Sequence, residues 1–194
     1  MQDSKKKRGR PRAFDEQLAR QQILEHFWEH GYAAASLDDL SSATGMARPS
    51  LYATFGNKES MYLSALELFK SYWKPATQRL LTCSEGAEGL REFFSTALNL
   101  YLQEGKSARG CFLICTATVE AQHSAAIQSA LAQALLELDL ALQRFFERFF
   151  EPALAASKAR LAAALLHSLA VRARAGQARS QLENLLDEAS LLLG

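Results

Sequence analysis

Proline and glycine are scarce in this sequence, which has four prolines and ten glycines among its 194 residues. No stretch alternates polar and apolar residues over six positions, so the pattern of a half-buried β-strand is missing. Alanine and leucine, which favour helices, are abundant instead. The sequence therefore predicts an all-α fold of about nine helices.

Cysteine is also rare, and the three that occur are Cys83, Cys111 and Cys115. An odd and small number of cysteines fits a reducing compartment better than a disulfide framework. The longest uncharged runs, such as AQHSAAIQSALAQALL, contain Gln, His and Ser and fall short of a membrane-spanning helix. We expect a soluble, cytoplasmic protein that does not act in a membrane.

Motifs of catalysis and metal binding are missing as well. There is no G-x-S-x-G or H-E-x-x-H motif and no zinc-type cysteine set, and the Gly105-Lys106-Ser107 triplet lacks the upstream glycine of a phosphate-binding loop. His26 and His30 are four residues apart but have no visible third ligand. The sequence predicts neither an enzyme nor a metal or other cofactor.

Positive charge is concentrated at the start of the chain. KKKRGRPR places six cationic side chains between Lys5 and Arg12, and with Asp3 the charge through Arg12 is +5, whereas the whole chain is only +1 and the remainder therefore −4. Such a local excess indicates an anionic partner for this segment rather than a generally basic protein. We predict a disordered basic arm over residues 1–12.

The helical segments follow from apolar spacing, capping residues and breakers. Ser36 followed by Asp39 has the pattern of an acidic capping box, Gly45 ends that helix, and Pro49 is tolerated only in a first turn. We expect Pro75 to bend or break the fourth helix and Pro152 to end the seventh. The predicted segments are 15–30, 36–45, 47–53, 58–82, 90–104, 111–121, 124–151, 157–175 and 178–193.

Two short helices around Gly45, preceded by a packing helix, form a helix-turn-helix. In this arrangement Leu51 and Phe55 would pack back on Leu40 and Phe27. The remaining side chains of the third helix would face a DNA major groove, and they are Arg48, Pro49, Ser50, Tyr52 and Thr54.

The run GYAAASLDDLSSATGMARPSLYATFGNKESMYLSAL resembles the DNA-binding region of the TetR family of transcriptional regulators. The similarity covers about residues 13–66 and includes Gly31, Tyr32, Ser36, Leu40, Gly45, Leu51, Tyr52, Phe55 and Lys58 at the family's separations. It implies a DNA-binding domain at 13–58 and a helical effector-binding and dimerisation domain at 59–194. It also implies phosphate contacts from Tyr52 and Lys58, the latter at the start of a helix, and a DNA-facing Ser36. Ala47 departs from the Ser or Thr often found before the recognition helix, so an N-cap hydrogen bond is missing.

The basic arm precedes this homeodomain-like module and is placed to enter the adjacent minor groove, where Arg8, Arg10 and Arg12 would contact DNA. Arg8 to Pro11 also resembles an AT-hook peptide. The alternative is a tail that only improves solubility.

The resemblance further implies a homodimer that binds a palindromic operator, usually as a repressor, and pairs through its last two helices. Leucine stripes in those helices suit this role, although they also suit an internal core. They comprise Leu161, Leu165, Leu166 and Leu169 in one helix and Leu182, Leu185, Leu186, Leu191 and Leu192 in the other.

An effector cavity is expected among the middle helices, and bulky apolar side chains there suggest a small apolar or aromatic ligand. The candidate residues are Trp73, Phe93, Phe94, Tyr101, Cys111, Phe112, Cys115, Phe145 and Phe149. His123 and His167 are interpreted as capping or cavity-lining groups. Plain core packing is the alternative for the aromatic residues.

Two other functions stay open. One is a thiol sensor at Cys111 and Cys115, with Lys106 and Arg109 lowering the pKa of Cys111. The other is a ligand-binding scaffold without DNA function.

Overall fold

The computed structural model of the protein describes residues 15–103 and 108–194. Within these two ranges the chain forms nine α-helices and one π-helical turn, and no strand. The predicted all-α fold is therefore confirmed. The basic arm with Arg8, Arg10 and Arg12, as well as Lys106, lies outside the described residues.

The first three helices are α1 (Glu16–His30), α2 (Leu37–Thr44) and α3 (Arg48–Phe55). The start of α2 is fixed by the predicted capping box, in which the Ser36 hydroxyl accepts from the backbone N–H of Asp39 and the Asp39 carboxylate accepts from the backbone N–H of Ser36. Gly45 ends α2 in the left-handed region at φ 64°, where a side chain is disfavoured.

The fourth helix, α4 (Lys58–Thr82), runs through Pro75 as one element. The chain therefore does not break at Pro75, although the missing N–H removes one helical hydrogen bond. Ala76 and Leu80, which follow the proline, are buried in the core. Their packing holds the second half of α4 in line and outweighs the local cost.

The remaining elements are α5 (Gly86–Leu102), a π-helical turn (Leu113–Ala117), α6 (Thr118–Glu120), α7 (Ala125–Phe146), α8 (Pro152–Arg174) and α9 (Arg179–Leu193). The boundary predicted between α7 and α8 is wrong by about five residues on each side. Pro152 does not end a helix but begins one, because the Glu151 carboxylate accepts hydrogen bonds from the N–H groups of Ala153 and Leu154.

One buried apolar cluster extends from α1 to α9, with α4 packed against α1 on one side and against α5 and α7 on the other. By length and composition alone, α7 and α8 are apolar enough to cross a membrane, which the uncharged runs in the sequence did not predict. In this fold α8 supplies buried residues to the cluster, including Leu166 and Leu169. Of the apolar windows, 39% is buried in α8 but only 11% in α7, which leaves Leu136 and Leu140 of α7 on the surface.

Candidate functional site

Helix α3 packs against α2 and α4 with its inward face. Leu51 and Phe55 of α3 are buried together with Leu40 of α2 and Phe27 of α1. Burial of both residues of α3 agrees with their four-residue spacing, and Leu40 and Phe27 belong to the same buried cluster. The inward face therefore fixes the orientation of α3 and leaves its other face to solvent.

The turn between α2 and α3 is fixed by side-chain hydrogen bonds. The Ser41 hydroxyl donates to the carbonyl of Met46 at 2.6 Å, and the Thr44 hydroxyl accepts from the N–H of Met46 at 3.3 Å. Together with the left-handed Gly45, these bonds set the angle at which α3 leaves α2. Ala47 then precedes α3 without a side-chain cap, because its methyl group cannot accept a hydrogen bond.

The outward face of α3 carries the side chains that the sequence assigned to DNA. Arg48, Pro49, Ser50 and Tyr52 are exposed, and Thr54 is half-buried. Arg48 is not free in this structure, because its Nε donates to Asp38 Oδ1 at 2.5 Å and a second nitrogen contacts the other carboxylate oxygen. This ion pair raises the pKa of Arg48 and holds the guanidinium against Asp38 in the first turn of α2.

Two further predicted residues flank α3. The hydroxyl of Ser36 is occupied by the capping box with Asp39, so its exposed position serves first to start α2. Lys58, at the start of α4, places its Nζ 4.4 Å from the centre of the Tyr32 ring. Partial burial lowers the pKa of Lys58, and the cation–π contact holds the side chain beside α3.

A cavity of about 360 Å³ lies between α4, the end of α5, the π-helical turn, α7 and α8. Its buried wall is apolar and aromatic. The residues of this wall are Phe69, Tyr101, Cys111, Leu113, Ala134 and Leu166, with Trp73, Ile114, Leu135 and Leu138 partly buried beside them. The volume is at the lower end of the range for small-molecule sites.

The exposed polar residues of the lining, Lys74, Gln78 and Glu137, mark the mouth of the cavity between α4 and α7. Lys70 Nζ lies 3.1 Å from Glu137 and 3.2 Å from Glu67. His167 of α8 also lines the cavity, and its Nε2 is buried without a hydrogen-bond partner among the described residues. Burial lowers the pKa of His167, so the ring is neutral at neutral pH.

The structure brings only some of the predicted cavity residues together. Trp73, Tyr101 and Cys111 line the cavity. Phe93 does not line the cavity but contacts Trp73, with ring centres 5.7 Å apart. Phe112 packs against Trp28, Tyr62 and Phe69 instead of lining the cavity. The others are not among the lining residues: Phe94 is buried, Phe145 and Phe149 contact each other edge to face, and Cys115 lies near Ala170.

Sequence reasoning did not find Phe69 or Leu138 as lining residues, because helical spacing alone does not tell a cavity wall from solid core. The sequence does suggest His167, together with His123, as a capping or cavity-lining group, and His167 lines the cavity. His123, which was grouped with it, is exposed after α6.

A short loop links the cavity wall to α1. The guanidinium of Arg109 lies 4.4 Å from the Trp28 ring and donates to Glu25 at 2.7 Å and to Gln103, and Arg109 is buried. The Trp28 indole donates to the carbonyl of Gly110 at 3.0 Å. The next residue in the chain, Cys111, lines the cavity.

The three cysteines are free thiols. Burial raises the pKa of Cys111 to about 12 and also raises the pKa of Cys115. Arg109 points toward Glu25 and Trp28 rather than serving to activate Cys111, and Lys106 lies outside the described residues. A thiol with a raised pKa reacts slowly with oxidants and electrophiles.

The rings of His26 and His30 are 4.5 Å apart. Across residues 15–103 and 108–194, no group of three His, Cys, Asp or Glu side chains is placed to hold a metal ion. The pair therefore stands alone on α1.

Comparison with known proteins agrees with this architecture. Residues 21–65 match the family described as bacterial regulatory proteins, tetR family. ComR, an HTH-type transcriptional repressor of Escherichia coli (strain K12), is 36% identical over 125 residues, which is 63% of this chain and 59% of ComR. YezE, an uncharacterized HTH-type transcriptional regulator of Bacillus subtilis (strain 168), is 34% identical over 59% of each protein. The chain thus spans 59% of the length of these two curated relatives.

A solved structure extends the similarity over almost the whole chain. It is a cysteine mutant of the TetR family transcriptional regulator CifR, complexed with 26 bp of double-strand operator DNA. The TM-score is 0.84 at 27% identity, and the match covers 94% of this chain and 98% of CifR.

Proposed function

Because this chain belongs to the TetR family of bacterial transcriptional regulators, we propose that it is a cytoplasmic, ligand-responsive repressor that binds a palindromic operator as a homodimer. The observation that carries the proposal is the fixed orientation of α3, whose buried Leu51 and Phe55 leave Arg48, Ser50 and Tyr52 facing solvent. The operator complex of CifR and the name of ComR as a repressor support it.

In this proposal α3 enters the major groove, with its first residues facing base edges. Arg48 reaches the DNA while Asp38 limits the directions its guanidinium can take. Tyr52 and Lys58 contact phosphates on either side of α3, and the basic arm adds contacts in the minor groove. Ser36, Pro49 and Thr54 complete this face. They position the DNA backbone against α3 rather than contact base edges.

Tyr52→Phe tests the phosphate role. Removing the hydroxyl costs about 1 kcal/mol, so affinity should fall about fivefold for every DNA sequence. Operator DNA selected from a random pool by the full-length protein is titrated by fluorescence anisotropy. The matched control is Tyr72→Phe, because Tyr72 is exposed on α4, away from α3. Equal affinities for both variants would refute the phosphate contact.

The homodimer is proposed to form through α8 and α9. The leucine stripes of these helices divide in the fold: Leu166, Leu169, Leu182 and Leu186 are buried within the chain. The other members face outward, with Leu161, Leu191 and Leu192 exposed and Leu165 and Leu185 partly buried. Exposed leucines on two neighbouring helices form an apolar surface suited to a second copy.

Leu161→Glu tests this interface. Leu161 is 60% exposed on α8, and Leu136, which is 51% exposed on α7, provides the control Leu136→Glu. We expect the first variant to sediment as a monomer at micromolar concentration and the second to remain a dimer. A dimer that survives Leu161→Glu but dissociates with Leu136→Glu would move the interface to α7.

The cavity is proposed to receive the small apolar or aromatic effector. Cys111 in its wall adjoins Arg109 and Gly110, which contact Glu25 and Trp28 of α1. A ligand that displaces the wall would therefore shift α1 and, with it, the orientation of α3. Since linkage is reciprocal, operator DNA must weaken ligand binding by the same factor by which ligand weakens DNA binding.

A further inference from the structure

The chemistry of the cavity lining restricts the ligand beyond its being small and apolar. This inference rests on the proposed effector role of the cavity. Across the inner wall the side chains are aromatic or aliphatic, so a ring system is stabilised there by burial and by contact with Phe69, Trp73 and Tyr101. The volume of about 360 Å³ favours a compact molecule.

The charged residues of the lining disfavour a cation. Two of them, Lys70 and Lys74, are positive and only Glu137 is negative. The Glu137 carboxylate is already engaged, since it lies 3.1 Å from Lys70 Nζ and accepts from the Gln133 amide at 3.1 Å. A cationic ligand would meet the positive charge of Lys74 and would have to compete with Lys70 for the Glu137 carboxylate.

His167 supplies a polar group that can form a further hydrogen bond. Its Nε2 is buried, has no hydrogen-bond partner among the described residues, and belongs to a side chain that lines the cavity. A buried nitrogen without a partner costs free energy. A ligand recovers that free energy once the imidazole turns so that Nε2 faces the cavity. As a neutral imidazole, it can accept a hydrogen bond at Nε2 or donate one, depending on the tautomer.

We propose that the cavity binds a compact, uncharged aromatic or alicyclic alcohol, whose ring lies against Trp73 and Tyr101 and whose hydroxyl bonds to His167. His167 then determines specificity: it favours the hydroxyl compound over the hydrocarbon of the same shape. Lys74 and the ion pair of Lys70 with Glu137 disfavour amines.

The test compares three compounds of one shape: 2-naphthol, 2-methylnaphthalene and protonated 2-naphthylmethylamine. Binding to the full-length protein is measured by equilibrium dialysis. We expect 2-naphthol to bind about tenfold more tightly than 2-methylnaphthalene, as one recovered hydrogen bond to a buried group gives, and the amine to bind weakest. Equal binding of the first two, or tightest binding of the amine, would overturn the proposal.

Variants separate the hydrogen bond from a change in shape. His167→Leu should bring the ratio of the first two affinities to about one, whereas His167→Gln, which keeps a hydrogen-bonding group, should retain most of it. The exposed His123 provides the control His123→Leu, which should leave the ratio unchanged. A ratio that survives His167→Leu in a folded protein would exclude His167 as the determinant.

Operator binding is measured on the same preparations with and without 2-naphthol. If 2-naphthol binds with the expected selectivity but leaves DNA affinity unchanged, the ligand class stands and the effector role fails. If none of the three compounds binds while the operator does, the ligand class is wrong and the DNA-binding proposal survives.

Discussion

Replacing Arg109 with methionine removes the guanidinium that joins the cavity wall to α1 while keeping a side chain of similar length. The variant loses the hydrogen bond to Glu25 at 2.7 Å, the hydrogen bond to Gln103 and the contact with the Trp28 ring at 4.4 Å. Arg109 is buried, so water does not take over these interactions without opening the loop.

The magnitude follows from the local environment. A hydrogen bond between charged groups contributes about 1.5–3 kcal/mol and a largely desolvated cation–π contact about 2 kcal/mol. The side chain of Glu25 is 35% exposed, however, and water will partly solvate its carboxylate once Arg109 is gone. Methionine also recovers some apolar packing against Trp28. We therefore expect a loss of about 3 kcal/mol in the free energy of unfolding, which corresponds to about 6–12 °C in Tm for a domain of this size.

Urea and thermal denaturation, followed by circular dichroism at one fixed protein concentration, measure this loss. The matched control is Arg91→Met. Arg91 pairs with Asp187 at the same distance of 2.7 Å, but the two side chains are 57% and 47% exposed. An exposed pair contributes less than about 1 kcal/mol, so the control should unfold within about 3 °C of the unsubstituted protein.

The reasoning fails if Arg109→Met costs no more than Arg91→Met. A double-mutant cycle with Glu25→Gln identifies the source of the loss, and we expect a coupling energy of about 1–2 kcal/mol between the two positions. Below the unfolding range, Arg109→Met should also reduce the factor by which a ligand weakens operator binding. A purely structural side chain would leave that factor unchanged.

Three further predictions concern single positions. Gly110→Ala should destabilise the protein by about 2 kcal/mol or more, because the new Cβ would collide with the carbonyl oxygen of Ala170 and the backbone has a φ of +65°. Gly176→Ala also has a positive φ but has open space around the new Cβ, so it should cost only about 1 kcal/mol in the same urea titration. Ala47→Ser should add the missing N-cap bond and stabilise by about 1 kcal/mol, and an unchanged urea midpoint would show that α3 does not need it. With a pKa of about 12, the Cys111 thiol is ionised to roughly 1 part in 10⁴ at pH 8, so Cys111→Ser should leave the rate of native-state labelling unchanged, and a slower rate would contradict its burial.

The helix-turn-helix region could be read from the sequence because its signals are local. The capping box of Ser36 and Asp39, the left-handed Gly45 and the four-residue spacing of Leu51 and Phe55 each act within one or two turns of helix. Residues this close along the chain determine each other's geometry before any distant contact forms. The outward face of α3 follows directly from that local order.

Only the tertiary structure decided which aromatic residues line a cavity. Trp73 and Phe93 are neighbours in space, yet one lines the cavity and the other packs behind it. The same holds for the leucines of α8, where Leu161 is exposed and Leu166 is buried. Helical periodicity tells on which face of its helix an apolar side chain lies. Whether that face packs against another helix, a cavity or solvent depends on helices far away in the chain. The cap by Glu151 likewise decided that α8 begins at Pro152. Packing of the second half of α4 outweighs the preference of Pro75 to break a helix.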